Sequence, residues 1–217
     1  MSYHFLGLVR TLTKIIVYTL IGMAVVAGII FAIFDVWTVP SDDPQLSVSV
    51  EPTLSSGDVV LVLRSTGAGD GAVVRCTDPQ AEGRYVVGRA MGASGDDIEV
   101  SGAGLRLNGK TPSAPYACEV SKVTLRNPAN DEDTELTCFV EEFAGGTHQS
   151  LRGKAVEREA KTKVEPGKVY LVSDNRVMHL DSRDFGTVAP SSCQRIAFRL
   201  WGSTGYLDTH KRLTAIW

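Results

Sequence analysis

Residues 15–34, IIVYTLIGMAVVAGIIFAIF, run without a charge or a proline. A helix of that length spans about 30 Å, the thickness of a bilayer's hydrocarbon core. No polar residue repeats at helical spacing to give the run a solvent face, so a core helix fits it poorly. Arg10 and Lys14 precede it, while Asp35, Asp42 and Asp43 follow it. That asymmetry predicts a retained single-pass anchor over 15–37, with residues 1–14 in the cytoplasm and residues 38–217 exported. Trp37 fits an interfacial anchor. A cleaved secretory signal is the alternative. The run exceeds the usual apolar stretch of such signals, and FDVWTVPSDD offers no small-x-small cleavage site.

Cysteine usage agrees with export. Cys76, Cys118, Cys138 and Cys193 are an even set, all beyond the anchor. They form no C-x-x-C and have no nearby pair of histidines, so no metal site and no cofactor is expected. Four cysteines allow three pairings, among which sequence alone does not choose. Cys118 and Cys138 share one polar segment and are expected to bond to each other, which leaves Cys76–Cys193 as the other bond. Buried free thiols are the alternative. The net charge is −3, with Lys and Arg scattered and no aromatic-basic stripe, so nucleic acid is not an expected partner.

Past the anchor the apolar runs are short, β-branched and bounded by turns, and 21 glycines punctuate them. A mostly β body is predicted. Residues 35–46, DVWTVPSDDPQL, read as a Pro- and Asp-bearing linker, with 38–46 as its exported part. Strands are expected at 59–63, 72–75, 84–91 and 98–100, then again at 168–172 and 196–201. GAGLRLNGK at 102–110 reads as a hairpin whose second turn is Asn108-Gly109. Residues 111–165 are more polar and carry NPANDEDTE. They read as an inserted lobe that divides a core into 47–110 and 166–217. Helical periodicity beyond the anchor is weak.

The core opens on SVSVEPTLSSGD, residues 47–58, where two serines sit two apart before Pro52 and a Gly57-Asp58 turn. A serine hydroxyl is a poor nucleophile without a base, so such a serine is by default a turn or cap residue. Two further stretches change the weighting. SVSVEPTL resembles the nucleophile box of type I signal peptidases, usually S-x-S-M-x-P-T-L. RAMGASGD (89–96) is similar to that family's R-V-x-G-x-P-G-D box. SDNRVMHLDSRDFG (173–186) resembles its G-D-N-R-x-x-S-x-D-S-R-x-x-G box. LRLNGK and VEEFAGGTHQ also fit family connectors, and the matches run in order from about residue 39 to residue 201.

The resemblance implies a membrane-anchored serine endopeptidase at the outer face of the cytoplasmic membrane, removing signal peptides from exported preproteins. Its partners would be those signal peptides and membrane lipid. The implied fold is a catalytic core of coiled antiparallel sheets with an inserted lobe. By position Ser49 matches the nucleophile. Ser47 matches a serine whose hydroxyl completes the oxyanion hole with the Ser49 N–H. Asp181, Ser182 and Arg183 match a set that braces the site, and Arg89 opens the middle box. For Asp181 and Arg183 a structural ion pair is the plainer reading.

Two departures concern the base. The family lysine precedes the middle box in the pattern Y-I-K-R-V. Here the stretch is Tyr85-Val86-Val87-Gly88-Arg89, so Gly88 stands at the lysine position. The serine that supports that lysine in the last box is His179 here. The two changed positions are expected to face each other, with His179 as the base of a Ser49–His179 dyad. An imidazole is a competent base at neutral pH. Asp181, two residues on, would orient the ring if the local chain is extended. Lys161, Lys163 and Lys168 are other candidate bases. The rival reading is a catalytically inactive homologue that binds signal sequences or an envelope partner.

Overall fold

The computed structural model describes residues 2–153, 160–209 and 211–216. The chain divides into two units, Met1–Asp35 and Val36–Trp217. The first is helix α1 (Ser2–Ile33). Its segment Arg10–Ile33 is long and apolar enough to cross a membrane, and none of its most apolar window is buried by protein. Within it Thr19 Oγ1 donates to the Ile15 carbonyl at 2.9 Å, so that hydroxyl is paired inside its own helix.

The elements that follow are β1 (Phe34–Thr38), α2 (Pro44–Ser49), β2 (Val59–Thr66), β3 (Val73–Thr77), β4 (Tyr85–Gly92), β5 (Asp97–Ser101) and β6 (Gly104–Leu107). Then come β7 (Ser113–Asn127), β8 (Glu132–Phe143), β9 (Gly146–Arg152), β10 (Ala160–Lys163), β11 (Tyr170–Val172), α3 (Ser182–Phe185), β12 (Cys193–Trp201) and β13 (Thr214–Ala215). The chain is mostly β, and the ladders between these strands are antiparallel. The main sheet runs β1-β2-β12-β3-β4-β11, with β13 on β12. Two three-stranded sheets, β10-β5-β6 and β7-β8-β9, complete the body.

The predicted runs become strands because their alternation matches a half-buried sheet. Val60 and Val62 of β2 point inward between more exposed neighbours. β4 differs, since nearly all of it is buried. Val87 packs with Leu46, Val50 and Ile196 on one face, while Val86 and Ala90 pack with Leu171 and Val188 on the other. A strand buried on both faces must pair any charge it carries, which sets the requirement on Arg89. The turn at Asn108-Gly109 forms as expected, with both residues at positive φ; Leu107 and Lys110 exchange backbone hydrogen bonds of 2.8 and 2.9 Å across it.

Two segments read differently in three dimensions. Residues 35–46, expected as a linker, carry most of β1 and the first turn of α2. Within the segment expected as a lobe, β7, β8 and β9 form their own sheet, whereas β10 pairs with β5; residues 154–159 lie outside the described set. The sheet β7-β8-β9 has a small core of Leu136, Val140 and Leu151 that is shared with Met178, with Val48 and Val177 packed against it. Both disulfides join as expected. Cys118–Cys138 ties β7 to β8, and Cys76–Cys193 ties β3 to β12 at directly opposed positions.

Candidate active site

Helix α2 carries both candidate serines, and its start is written in the sequence. Asp43 caps it, its carboxylate accepting the Leu46 N–H at 3.0 Å, and Pro44 occupies the first turn. Leu46 and Ser49 are its buried side. Ser47 Oγ donates to the carbonyls of Asp43 at 2.9 Å and Pro40 at 3.0 Å. Ser49 is fully buried, and its Oγ donates to the Leu46 carbonyl at 2.8 Å. The hydroxyl is thus parked on its own helix.

The three boxes meet beside this helix. Arg89 is 1% exposed and grips Asp174 with two parallel bonds, Nε to Oδ1 at 2.9 Å and Nη2 to Oδ2 at 2.8 Å. Thr53, four residues past Ser49, donates to the same carboxylate, and Arg89 Nη1 also donates to the Gly71 carbonyl at 2.7 Å. Burial pushes the Asp174 carboxyl up, yet the Arg89 guanidinium outweighs it and holds the group below its ordinary value. The next residue closes the junction: the Asn175 N–H donates to the Ser49 carbonyl at 3.1 Å and its Nδ2 to the Val48 carbonyl at 3.0 Å. The ion pair therefore ties the middle box to the last, while Thr53 and Asn175 lock the serine segment to the last box.

Asp181 braces the other side. Its two oxygens accept from Arg183 Nε at 2.9 Å, Arg183 Nη2 at 2.8 Å and the Ser173 N–H at 2.8 Å. Burial raises its carboxyl and the Arg183 contacts lower it, with the net below the ordinary value. Ser182 Oγ accepts the Leu171 N–H at 2.9 Å, tying α3 to β11. The structural ion pair is what the geometry displays for Asp181 and Arg183.

His179 keeps its backbone against α2, where its carbonyl accepts Gln45 Nε2 at 2.7 Å. Its ring turns elsewhere. Nδ1 lies 2.9 Å from Asp184 Oδ2 and 4.0 Å from Asp181 Oδ1. Among the described residues no hydrogen bond joins Ser49 to His179. Nor is Gly88 an open slot: a Cβ built there would meet Leu171 Cβ at 3.1 Å and the Val172 backbone at 3.5 Å. Its nearest neighbours are on β11, not on His179. Lys161 and Lys163 lie on β10 against β5, and Lys161 bonds Glu99.

Clefts flank this region. One of about 480 Å³ runs between Pro40, Asp43, Pro44 and Leu46 on one wall and Arg84 and Tyr85 on the other. Another of about 420 Å³ is lined by His179 and Arg183 and by Asn130 and Glu132 of the β7–β8 turn. His179, Asp181 and Asp184 bring their donor atoms within 4.8 Å of one another, a spacing that could hold a cation. Arg183 already occupies both Asp181 oxygens there.

Several structural partners escaped the reading of the sequence. Thr53, Asp174 and Asn175 lie inside the matched boxes, so their signal was position in the motif. Asp43-Pro44 is a helix-start signature. Asp181-x-x-Asp184 spells a capping box, with Asp181 accepting from the first turn and Asp184 Oδ2 accepting the Asp181 N–H at 2.8 Å. Glu141 lies in the VEEFAGGTHQ connector, where nothing local marks it as buried. It is fully buried and takes Arg176 Nη2 at 3.0 Å, Arg152 Nη2 at 2.7 Å and the Ser150 hydroxyl.

Comparison with known proteins adds the lineage. The sequence model of the family described as "Signal peptidase, peptidase S26" matches residues 12–201. Signal peptidase I of Bacillus caldolyticus is 28% identical over 159 residues, covering 70% of this chain and 75% of that protein.

Proposed function

Because the chain belongs to the signal peptidase family, peptidase S26, we propose that it is a membrane-anchored serine endopeptidase that removes signal peptides from exported preproteins. Ser49 is the nucleophile, Ser47 an oxyanion donor and His179 the base. The observation that carries this reading is the junction of the three boxes at Ser49. Asn175 holds the Val48 and Ser49 carbonyls, and Thr53, Arg89 and Asp174 form one buried cluster beside it. Such a scaffold fixes a nucleophile within the narrow tolerance that acyl transfer needs.

The chemistry follows from the positions of the protons. A rotation about the Ser49 side chain frees Oγ from the Leu46 carbonyl. Oγ then attacks the scissile carbonyl carbon as its proton passes to His179 Nε2. The carbonyl π pair moves onto oxygen, where the Ser49 N–H and the Ser47 hydroxyl receive it. Collapse breaks the C–N bond, and the imidazolium proton goes to the leaving amine. Water then repeats the sequence on the acyl-enzyme. The cleft between Pro40–Leu46 and Tyr85 supports an extended substrate beside α2. The α1 segment anchors the enzyme with its catalytic unit on the outer face of the membrane. Lipid contacts are those of the anchor, and no cofactor takes part.

The test is cleavage of a preprotein by the full-length chain in detergent, with a serine-directed acylating inhibitor as the probe of the nucleophile. Ser49→Ala should abolish both cleavage and labelling. His179→Ala should slow cleavage by about 10²–10⁴-fold, the range for loss of a general base. Labelling at another serine, or cleavage that survives Ser49→Ala, would sink the proposal.

A further inference from the structure

His179 has two aspartates within reach, and they are not equivalent. Asp181 Oδ1 lies 4.0 Å from Nδ1, beyond hydrogen-bond distance. Its oxygens are committed to Arg183 and to the Ser173 N–H. Asp184 Oδ2 lies 2.9 Å from Nδ1. That same oxygen is anchored from the other side by the Asp181 N–H at 2.8 Å, as the reciprocal half of the α3 capping box. The carboxylate is therefore held in place by backbone before the ring meets it.

We propose that Asp184, rather than Asp181, is the positioning residue for His179, holding Nδ1–H so that Nε2 is the nitrogen that takes the Ser49 proton. This rests on the Ser49–His179 reading above. The physical reasoning is that a neutral imidazole donates from one nitrogen and accepts at the other, and the partner of one decides the role of the second. A carboxylate on Nδ1 also stabilises the imidazolium that forms when Ser49 is deprotonated. Asp184 stands in the last box at a position where the family pattern allows any residue, so this chain's histidine has a carboxylate partner outside that pattern. Among the described residues, Asp181 Oδ1 stands 4.0 Å from Nδ1, and Arg176, Arg183 and Glu132 of the β7–β8 turn line the cleft that His179 shares. Gln45 of α2, on the His179 carbonyl, is neutral.

The experiment separates the coupling from the dyad. Imidazole ¹⁵N spectra of full-length Ser49→Ala protein in micelles should give His179 as the Nδ1–H tautomer. Asp184→Asn should move its titration midpoint to lower pH, because the charged ring loses its carboxylate. In the Ser49-containing enzyme, Asp184→Asn should lower kcat by roughly 10-fold or more with little change in KM, less than loss of the base itself. The acid limb of its pH–rate profile should shift down with the NMR midpoint, a movement that mere loss of a helix cap would not cause. Asp184→Glu, which keeps a carboxylate, should restore part of kcat and most of the midpoint; it also serves if Asp184→Asn fails to fold. An Nε2–H tautomer, or a midpoint and acid limb indifferent to Asp184→Asn, overturns the coupling. Full activity in His179→Ala overturns the dyad and with it the positioning role, even where the NMR coupling is present.

Discussion

Single residues decide what this fold tolerates, and Glu141 is the sharpest case. Burial alone would raise its carboxyl, but Arg176 leads a set of contacts, with His148, Ser150 and Arg152, that drives it far below the ordinary carboxylate range. A depressed carboxyl contributes stability above its unfolded value of about 4.3, and that contribution is lost only as pH falls through the folded value. Replacing it with glutamine leaves Arg176, which is fully buried, without its countercharge. Glu141→Gln should therefore cost about 3–5 kcal/mol at neutral pH, the usual penalty for breaking one side of a buried pair. Denaturant melts at pH 7 and pH 5 should give the same deficit, with narrowing only below the carboxylate range. A deficit absent at pH 7 would mean that the carboxylate gives Arg176 no net stabilisation. Gly88 makes the opposite point. A glycine stands where the family has its lysine, and Leu171 Cβ of β11 lies 3.1 Å from the place where a side chain would start.

At the scale of elements, the sheet β7-β8-β9 is joined to the serine segment by more than chain connectivity. Its apolar cluster includes Met178, with Val48 packed against it, and these residues flank His179 and Ser49 in the sequence. Arg176 reaches from the last box into β8 to bond Glu141. The Cys118–Cys138 bond closes the strand pair, at a sequence separation of 20. By the chain-entropy argument it contributes about 3 kcal/mol. The double replacement Cys118→Ser, Cys138→Ser should lower the melting temperature and, through Val48 and Met178, reduce preprotein cleavage more than inhibitor labelling of unfolded controls explains. Unchanged cleavage by a destabilised variant would mean that the sheet is energetically separate from α2. Helix α2 is only six residues long, too short to persist alone; it exists because Asp43 caps it and Leu46 is buried against β4.

For the whole molecule, the prediction concerns topology. Charges around the apolar run favour an N-terminus inside and Val36–Trp217 outside. Protease added to sealed, right-side-out membrane preparations should digest the Val36–Trp217 unit, and N-terminal sequencing of the extracted protein should find the apolar helix still attached. A mature chain starting near residue 40 would refute retention. How much of this was readable before folding follows from the range of each interaction. The apolar run, the alternation in β2, the Asn108-Gly109 turn and the identity of the three boxes are local patterns, set by periodicity and by residue chemistry within a few positions, so the sequence by itself determined them. Cys118 and Cys138 lie in one segment, which made their bond the expected one, but the choice among three pairings came with the fold. What only the tertiary structure decided are the meetings of distant residues. These are Arg89 with Asp174, Glu141 with Arg176, and the return of β10 to β5. To them belongs the choice at His179, where Asp181 was the nearer candidate on an extended chain. Instead the chain turns into α3 after Asp181, Arg183 takes the Asp181 carboxylate, and the capping box brings Asp184 onto the imidazole. A helix turn of four residues, too short to leave a periodic trace, redirected that one hydrogen bond.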